Sequence, residues 1–194
     1  MTKTLKISQP TIVDWKNFVR DLFISRAARR NIKLGGKDQI VQIDESHLST
    51  RKFNVGRVLS SQSTWIVGGV DEQNKQIMVP VETRTKAVLH ELIKKFVLPR
   101  SIVVTDCWKG YLGLDQLGYT HITVNHKRQF VNAAGYHTNR IEAKWGAFKR
   151  LTNTIRHRKR TLVKSYLDEY LFFQEYKGRV FTEAVKEIIH IYNF

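Results

Sequence analysis

Two short apolar runs, each closed by an aspartate, most constrain what this chain can become. Gln39-Ile-Val-Gln-Ile43 leads into Asp44, and Ser101-Ile-Val-Val-Thr105 leads into Asp106. Both runs are too short for a buried helix and rich in β-branched residues, so they predict buried strands. Open α/β sheets gather ligand sites at the carboxyl ends of such strands. An aspartate at a strand end also starts turns, so neither residue alone marks a site.

A third carboxylate joins them. From His137 to Arg150 the chain reads as a helix with Ile141, Trp145 and Phe148 as its apolar stripe. Glu142, Trp145, Gly146 and Lys149 stand at i, i+3, i+4 and i+7, so the carboxylate and the ammonium lie along one side, two turns apart. Glu142 has two readings. Asn139 as N-cap with Glu142 at N3 fits a capping box. Alternatively, Glu142 converges with Asp44 and Asp106. Three carboxylates close together repel one another unless a cation sits among them. Hard oxygen ligands at irregular spacing favour magnesium or manganese over zinc.

Thirty-five residues separate Asp106 from Glu142. With that spacing come Val41-Gln-Ile-Asp-Glu-Ser46, Arg51-Lys-Phe-Asn-Val-Gly-Arg57, Trp65-Ile-Val-Gly-Gly-Val70, Thr105-Asp-Cys-Trp-Lys-Gly-Tyr111, Gly118-Tyr-Thr-His-Ile-Thr-Val-Asn-His126 and His137-Thr-Asn-Arg-Ile-Glu142. As an ordered set, from Ile40 onward, these resemble the Merlin superfamily of DDE transposases and their ISXO-like bacterial insertion-sequence relatives. The resemblance implies an α/β, RNase H-like fold with a mixed five-stranded sheet flanked by helices. It implies Asp44, Asp106 and Glu142 as the catalytic, metal-binding triad, holding two Mg2+ or Mn2+ ions per site. It implies Lys149 as the basic residue that follows the glutamate by two helical turns. In one respect the chain departs from the pattern. Such transposases carry a zinc-ribbon or helix-turn-helix segment ahead of the catalytic domain, and here little precedes Ile40.

Charge points to the partner. Lys and Arg number 33 against 17 Asp and Glu, a net charge of +16, and the pI is near 10.1. Such an excess predicts a polyanion. Between Lys127 and Lys164 stand eleven Lys or Arg and one acid, Glu142. This block, with Lys149, Arg150, Arg156, Arg158, Lys159 and Arg160, suits phosphate neutralisation. Arg51, Lys52 and Arg57 form a second basic stretch that suits an extended excursion along DNA. His137 is read as metal-adjacent and Asn139 as accessory, with Asn125 and His126 as further neighbours of the site.

The single cysteine, Cys107, excludes an internal disulfide and a Cys-based zinc site. It is read as a small buried residue. Met1 to Gln9 lacks the apolar core of a signal peptide, and no apolar run reaches membrane-spanning length. The expectation is a soluble, intracellular protein without a membrane partner: nuclear in a eukaryote, cytoplasmic or nucleoid-associated in a bacterium.

In order along the chain, Pro10 to Arg30 reads as a helix with Ile12, Trp15, Phe18, Val19, Leu22 and Phe23 on its apolar side. It is either a remnant of a DNA-binding segment or a helix packed on the core. Strands follow at Ile40 to Glu45, Trp65 to Val70 and Lys75 to Val81, the last two a hairpin whose turn holds Asp71 in solvent. Thr85 to Phe96 is an amphipathic helix, Trp108 to Leu117 a helix ending at Gly118, and Tyr119 to Asn125 a strand. Leu162 to Tyr176 and Phe181 to Tyr192 close the chain as helices whose aromatics belong to the core. Residues 1–36 are expected to form an N-terminal helical segment and 37–194 the catalytic domain. The expected activity is metal-dependent DNA cleavage and strand transfer on transposon ends and target DNA, by a homo-oligomer. The alternative is a catalytically inactive or domesticated relic that only binds DNA.

Overall fold

The structure, a computed structural model, describes residues 6–49, 63–125, 134–153 and 162–192. Its elements are α1 (Gln9–Ala28), β1 (Ile40–Ser49), β2 (Ser63–Asp71), β3 (Gln76–Val81), α2 (Lys86–Phe96), β4 (Ile102–Thr105), β5 (Thr120–Thr123), α3 (Asn139–Asn153), α4 (Val163–Glu175) and α5 (Val180–Tyr192). They group into two units, residues 32–164 and residues 1–31 with 165–194.

In the larger unit the strands form a mixed five-stranded sheet in the order β3-β2-β1-β4-β5. β1, β2 and β3 run antiparallel; β1, β4 and β5 run parallel. The pleat sends alternate residues to opposite faces. Val41 and Ile43 of β1 join Val67, Ile77 and Val103 under Leu89 and Ile93 of α2, with Tyr111 and Leu114 completing this core. The other face receives α3, whose Ile141, Trp145 and Phe148 are all buried. Gly68 makes that approach possible. A Cβ at this position would stand 2.6 and 2.7 Å from the Trp145 ring carbons and 3.1 Å from Ile141 Cδ1.

The expected hairpin is present, but Asp71 at its turn is not solvated. Asp71 is only 2% exposed. Its Oδ1 accepts from the Lys75 N–H at 2.9 Å and its Oδ2 from the Gly35 N–H at 3.4 Å. Burial with both oxygens engaged makes it a turn-forming residue. β1 continues past Glu45 because β2 pairs with it as far as Ser49. The helix expected from Trp108 to Leu117 is instead two 3-10 turns, Lys109–Tyr111 and Asp115–Leu117. Gly113, at φ +88°, separates them in a conformation that an α-helix cannot continue through. Gly118, at φ +85°, closes the segment as expected.

In the smaller unit, Phe23 of α1 packs on Phe172 of α4 with ring centroids 4.6 Å apart. Arg30 pairs with Glu175 at 2.7 Å, and Arg29 pairs with the buried Glu187. The apolar residues here are only partly core. Tyr170 and Phe172 are buried, whereas Trp15 is 62% and Phe181 82% exposed. On α1 only Leu22 and Phe23 are buried, so its apolar period exceeds the surface its neighbours in this unit cover. No helix among the described residues is long and apolar enough to cross a membrane.

Candidate active site

The sheet register brings the two aspartates together. β1 pairs with β4 at Ile40–Ile102, Val41–Val103 and Gln42–Val104. The same register carried two residues further sets Asp44 level with Asp106. β4 stops at Thr105 while β1 runs on, which leaves that edge of β1 open beside Asp106. Asp106 Oδ1 accepts from the Trp108 N–H at 2.9 Å, so the aspartate shapes its own turn. Cys107 within that turn is exposed, not buried as expected, since the turn carries it off the strand end. One carboxylate oxygen from each of Asp44, Glu45 and Asp106 lies within 4.8 Å of the other two.

Helix α3 is fastened to this point. Asp44 pairs across β1 and β2 with Gly68. The ring of Trp145 fills the space above that glycine, and its Nε1–H donates to Asp44 Oδ2 at 2.9 Å. Burial pushes the Asp44 carboxyl up. The Glu45 backbone and Trp145 hydrogen bonds oppose that shift, and the charges of Asp106 and Glu142 add to it. Asp44 is thus in electrostatic reach of both other predicted carboxylates.

The helix begins one residue earlier than a capping box on Asn139 requires. The Glu142 N–H donates to the Thr138 carbonyl at 3.2 Å, which makes Thr138 the cap residue and Asn139 the first residue of the helix. Thr138 Oγ1 also donates to Glu142 Oε1 at 3.4 Å. The next free N–H groups, those of Arg140 and Ile141, donate to Gln42 Oε1 at 3.0 and 3.2 Å. A side chain from β1 therefore does work that the sequence pattern assigned to a local cap. His137 belongs to this network: its Nδ1 is 3.3 Å from Gln42 Nε2 and 3.3 Å from the Asn139 N–H. Among the described residues, neither His137 nor Glu142 falls in the close carboxylate group.

Glu45 is the residue that sequence reasoning missed. Its only signal was adjacency to Asp44, and strand alternation argues against two neighbours sharing a site. Burial pushes its carboxyl up to about 7, with Asp106 and Asp44 adding to the shift and Tyr111 and Arg84 opposing it. Tyr111 is fully buried. Its hydroxyl is close enough to Glu45 to act on it, yet neither the hydroxyl nor Glu45 Oε1, both buried, has a hydrogen bond of good geometry among the described residues. Burial, reinforced by the charges of Glu45, Asp44 and Asp106, holds the Tyr111 hydroxyl well above its ordinary range.

A group of hard carboxylate oxygens, crowded and partly desolvated, is a donor set that fits a divalent cation of the magnesium or manganese type. The orphaned Glu45 oxygen supports that fit.

One cation, Arg84, acts on the Glu45 charge. Arg84 lies 4.1 Å from the ring centroids of both Trp65 and Trp108. Lys149 and Arg150 are exposed on α3, and Asn125 is exposed just beyond β5. Arg51, Lys52, Arg57, His126, Arg156, Arg158, Lys159 and Arg160 lie outside the described residues.

No curated protein matches the chain. A solved structure entitled "Crystal structure of NurA" is 12% identical over 82% of this chain and 42% of that chain, with a TM-score of 0.18, too low to speak for a shared fold. The chain thus spans less than half the length of that protein. The model of the ISXO2-like transposase domain matches residues 33–177, from just before β1 to the end of α4. The chain belongs to the family of ISXO2-like transposase domains.

Proposed function

We propose that the chain is a DDE transposase with an RNase H-like catalytic domain, and that it carries out metal-dependent DNA cleavage and strand transfer. Asp44, Asp106 and Glu142 are its catalytic carboxylates and hold two Mg2+ or Mn2+ ions. The observation that carries the reading is the Asp44 environment. The Asp44 and Asp106 oxygens lie within 4.8 Å of each other, and both Asp106 and Glu142 act on the Asp44 charge. The mixed sheet, with an antiparallel half and a parallel half meeting at β1, supports the fold. The ordered motifs support the finer placement beside the Merlin superfamily, and the family match over residues 33–177 supports a catalytic domain that starts near residue 37.

When bound, divalent ions supply Lewis acidity to a phosphodiester and to the oxygen that attacks it. The chain's own residues do the rest. Asp44 and Asp106 are fixed by the β1–β4 register and present hard oxygens. Trp145 orients Asp44, and α3 places Glu142 three residues before Trp145, about 4.5 Å back along the helix axis at ~1.5 Å per residue. Lys149 offers a cation for a phosphate near the cut. The basic block holds DNA by its backbone, which gives affinity without a base code. A homo-oligomer would bring two ends together.

One observation favours a binding-only relic. Glu142 is exposed and stands outside the close group of oxygens. Incubation with Mn2+ and labelled DNA bearing the repeats that flank its own gene separates the two. The transposase reading expects nicked ends and strand-joined products; binding with neither product would leave the relic.

A further inference from the structure

We propose that Glu45 is a fourth carboxylate of this centre, an oxygen ligand reaching around the open edge of β1, and that the Tyr111 hydroxyl is the positioning donor that holds it there. The inference rests on the metal-dependent reading above. Its starting point is geometry: the oxygens that lie mutually within 4.8 Å belong to Asp44, Glu45 and Asp106. Adjacent residues of a strand point to opposite faces. Glu45 therefore starts from the α2 face, where Val41 and Ile43 are core, whereas Asp44 meets Trp145 on the α3 face. They share a site because β1 outruns β4, so neither side chain is walled off by a neighbouring strand at that level.

Tyr111 is the independent observation. A fully buried tyrosine ordinarily satisfies its hydroxyl. This one does not among the described residues, and the group it faces is Glu45, with Asp44 and Asp106 beyond. Neither buried atom is satisfied by a well-formed hydrogen bond among the described residues. They make sense as parts of a site: one Glu45 oxygen directed to a cation beside Asp44 and Asp106, the other held by the tyrosine. Outer groups of this kind fix the orientation of a ligand and tune its strength. Arg84, 4.1 Å from the ring centroids of both Trp65 and Trp108, is a cation within reach of Glu45.

The test is Mn2+ binding to the full chain, followed by loss of the free-ion electron paramagnetic resonance signal, with a thermal melt in chelator for each protein. Glu45→Gln should weaken Mn2+ binding more than about tenfold, and Tyr111→Phe about tenfold, the size expected for an outer partner. Neither should lower the melting temperature in chelator. Asp106→Asn serves as the control for the underlying reading. If Asp106→Asn loses Mn2+ while Glu45→Gln binds like the unmutated chain, Glu45 is not a ligand and the triad stands without it. If Glu45→Gln only lowers the melt and leaves affinity unchanged, its role is structural and the inference falls. Glu45→Asp, which keeps the charge and withdraws the oxygens by one methylene, must also lose affinity. An unmutated chain that binds no Mn2+ overturns both readings together.

Discussion

The indole N–H of Trp145 on α3 donates to Asp44 Oδ2 on β1 at 2.9 Å, so one hydrogen bond joins the helix that bears Glu142 to the strand that bears Asp44. The tryptophan is at once the core residue of the helix and the orienting partner of the aspartate. Trp145→Phe keeps most of the packing and removes the donor. A hydrogen bond to a charged group is worth roughly 1.5–3 kcal/mol, so a loss at the lower end of that range is expected at this half-buried carboxylate. A thermal melt measures the loss, and Mn2+-dependent cleavage should fall with it. Unchanged cleavage would mean that the orientation of Asp44 is immaterial.

Gly68 is the space into which that indole fits. Gly68→Ala would set a methyl carbon 2.6 Å from the ring, so α3 or the ring must move. Overpacking of this kind costs about 1–3 kcal/mol. Gly118→Ala is a useful contrast, because no atom stands within 4 Å of its added carbon and the penalty there comes only from its φ of +85°. Cleavage should suffer at Gly68 and not at Gly118; equal activity losses would argue that α3 need not sit close to β2.

Stability in chelator should depend on pH through Glu45. Its carboxyl is raised from 4.5 to about 7 in the folded chain. Between those values the folded state holds a proton that the unfolded state releases. Stability therefore falls as pH rises across that window; the penalty is absent below 4.5 and complete above 7. Allowing for partial exposure, the loss is on the order of 1–2 kcal/mol. Melts from pH 4.5 to 8 should show this slope in the unmutated chain and a flatter one in Glu45→Gln. Added Mn2+ should remove the penalty at neutral pH. Parallel slopes in the two proteins would place the titration elsewhere.

Reversing Arg156, Arg158 and Arg160 to Glu should weaken binding across all DNA sequences and flatten its dependence on salt, since each lost phosphate contact removes released counterions. A gel-shift titration at several salt concentrations measures this. An unchanged slope would show that phosphates are held by other residues.

Much of this architecture was legible in the sequence because buried strands and an amphipathic helix each have a period. The run before Asp106 marked the end of β4 and the run before Asp44 marked the start of β1, although β1 passes through Asp44 and on to Ser49; Ile141, Trp145 and Phe148 marked the face of α3 that is buried. What escaped was set by tertiary contact. Gln42 takes over the capping of α3 from a strand ninety-eight residues before Arg140, which no local pattern announces. Strand alternation puts Glu45 and Asp44 on opposite faces of β1, and the nearness of their oxygens goes with the early stop of β4, a property of the sheet and not of the Asp44-Glu45 pair. Trp145 read as apolar, and only the structure shows its N–H put to use. Asp71 read as a solvated turn residue because polar turns ordinarily face water, yet Lys75 and Gly35 hold it inside.

Glu142 can serve the helix start or a metal ion, and one substitution separates the two roles. Gln can accept from Thr138 as Glu does, so Glu142→Gln should cost well under the ~0.5–2 kcal/mol of a lost N-cap. It cannot supply the charge that a hard cation requires. The decisive measurement is Mn2+-dependent cleavage of labelled DNA carrying the flanking repeats, by the unmutated chain and by Glu142→Gln, with gel shifts and melts on the same samples. Equal melts are expected, with DNA binding at least as tight in the variant, and cutting and joining by the unmutated chain alone. Full cleavage by the Gln variant would contradict the metal role and leave Glu142 as a residue of the helix start.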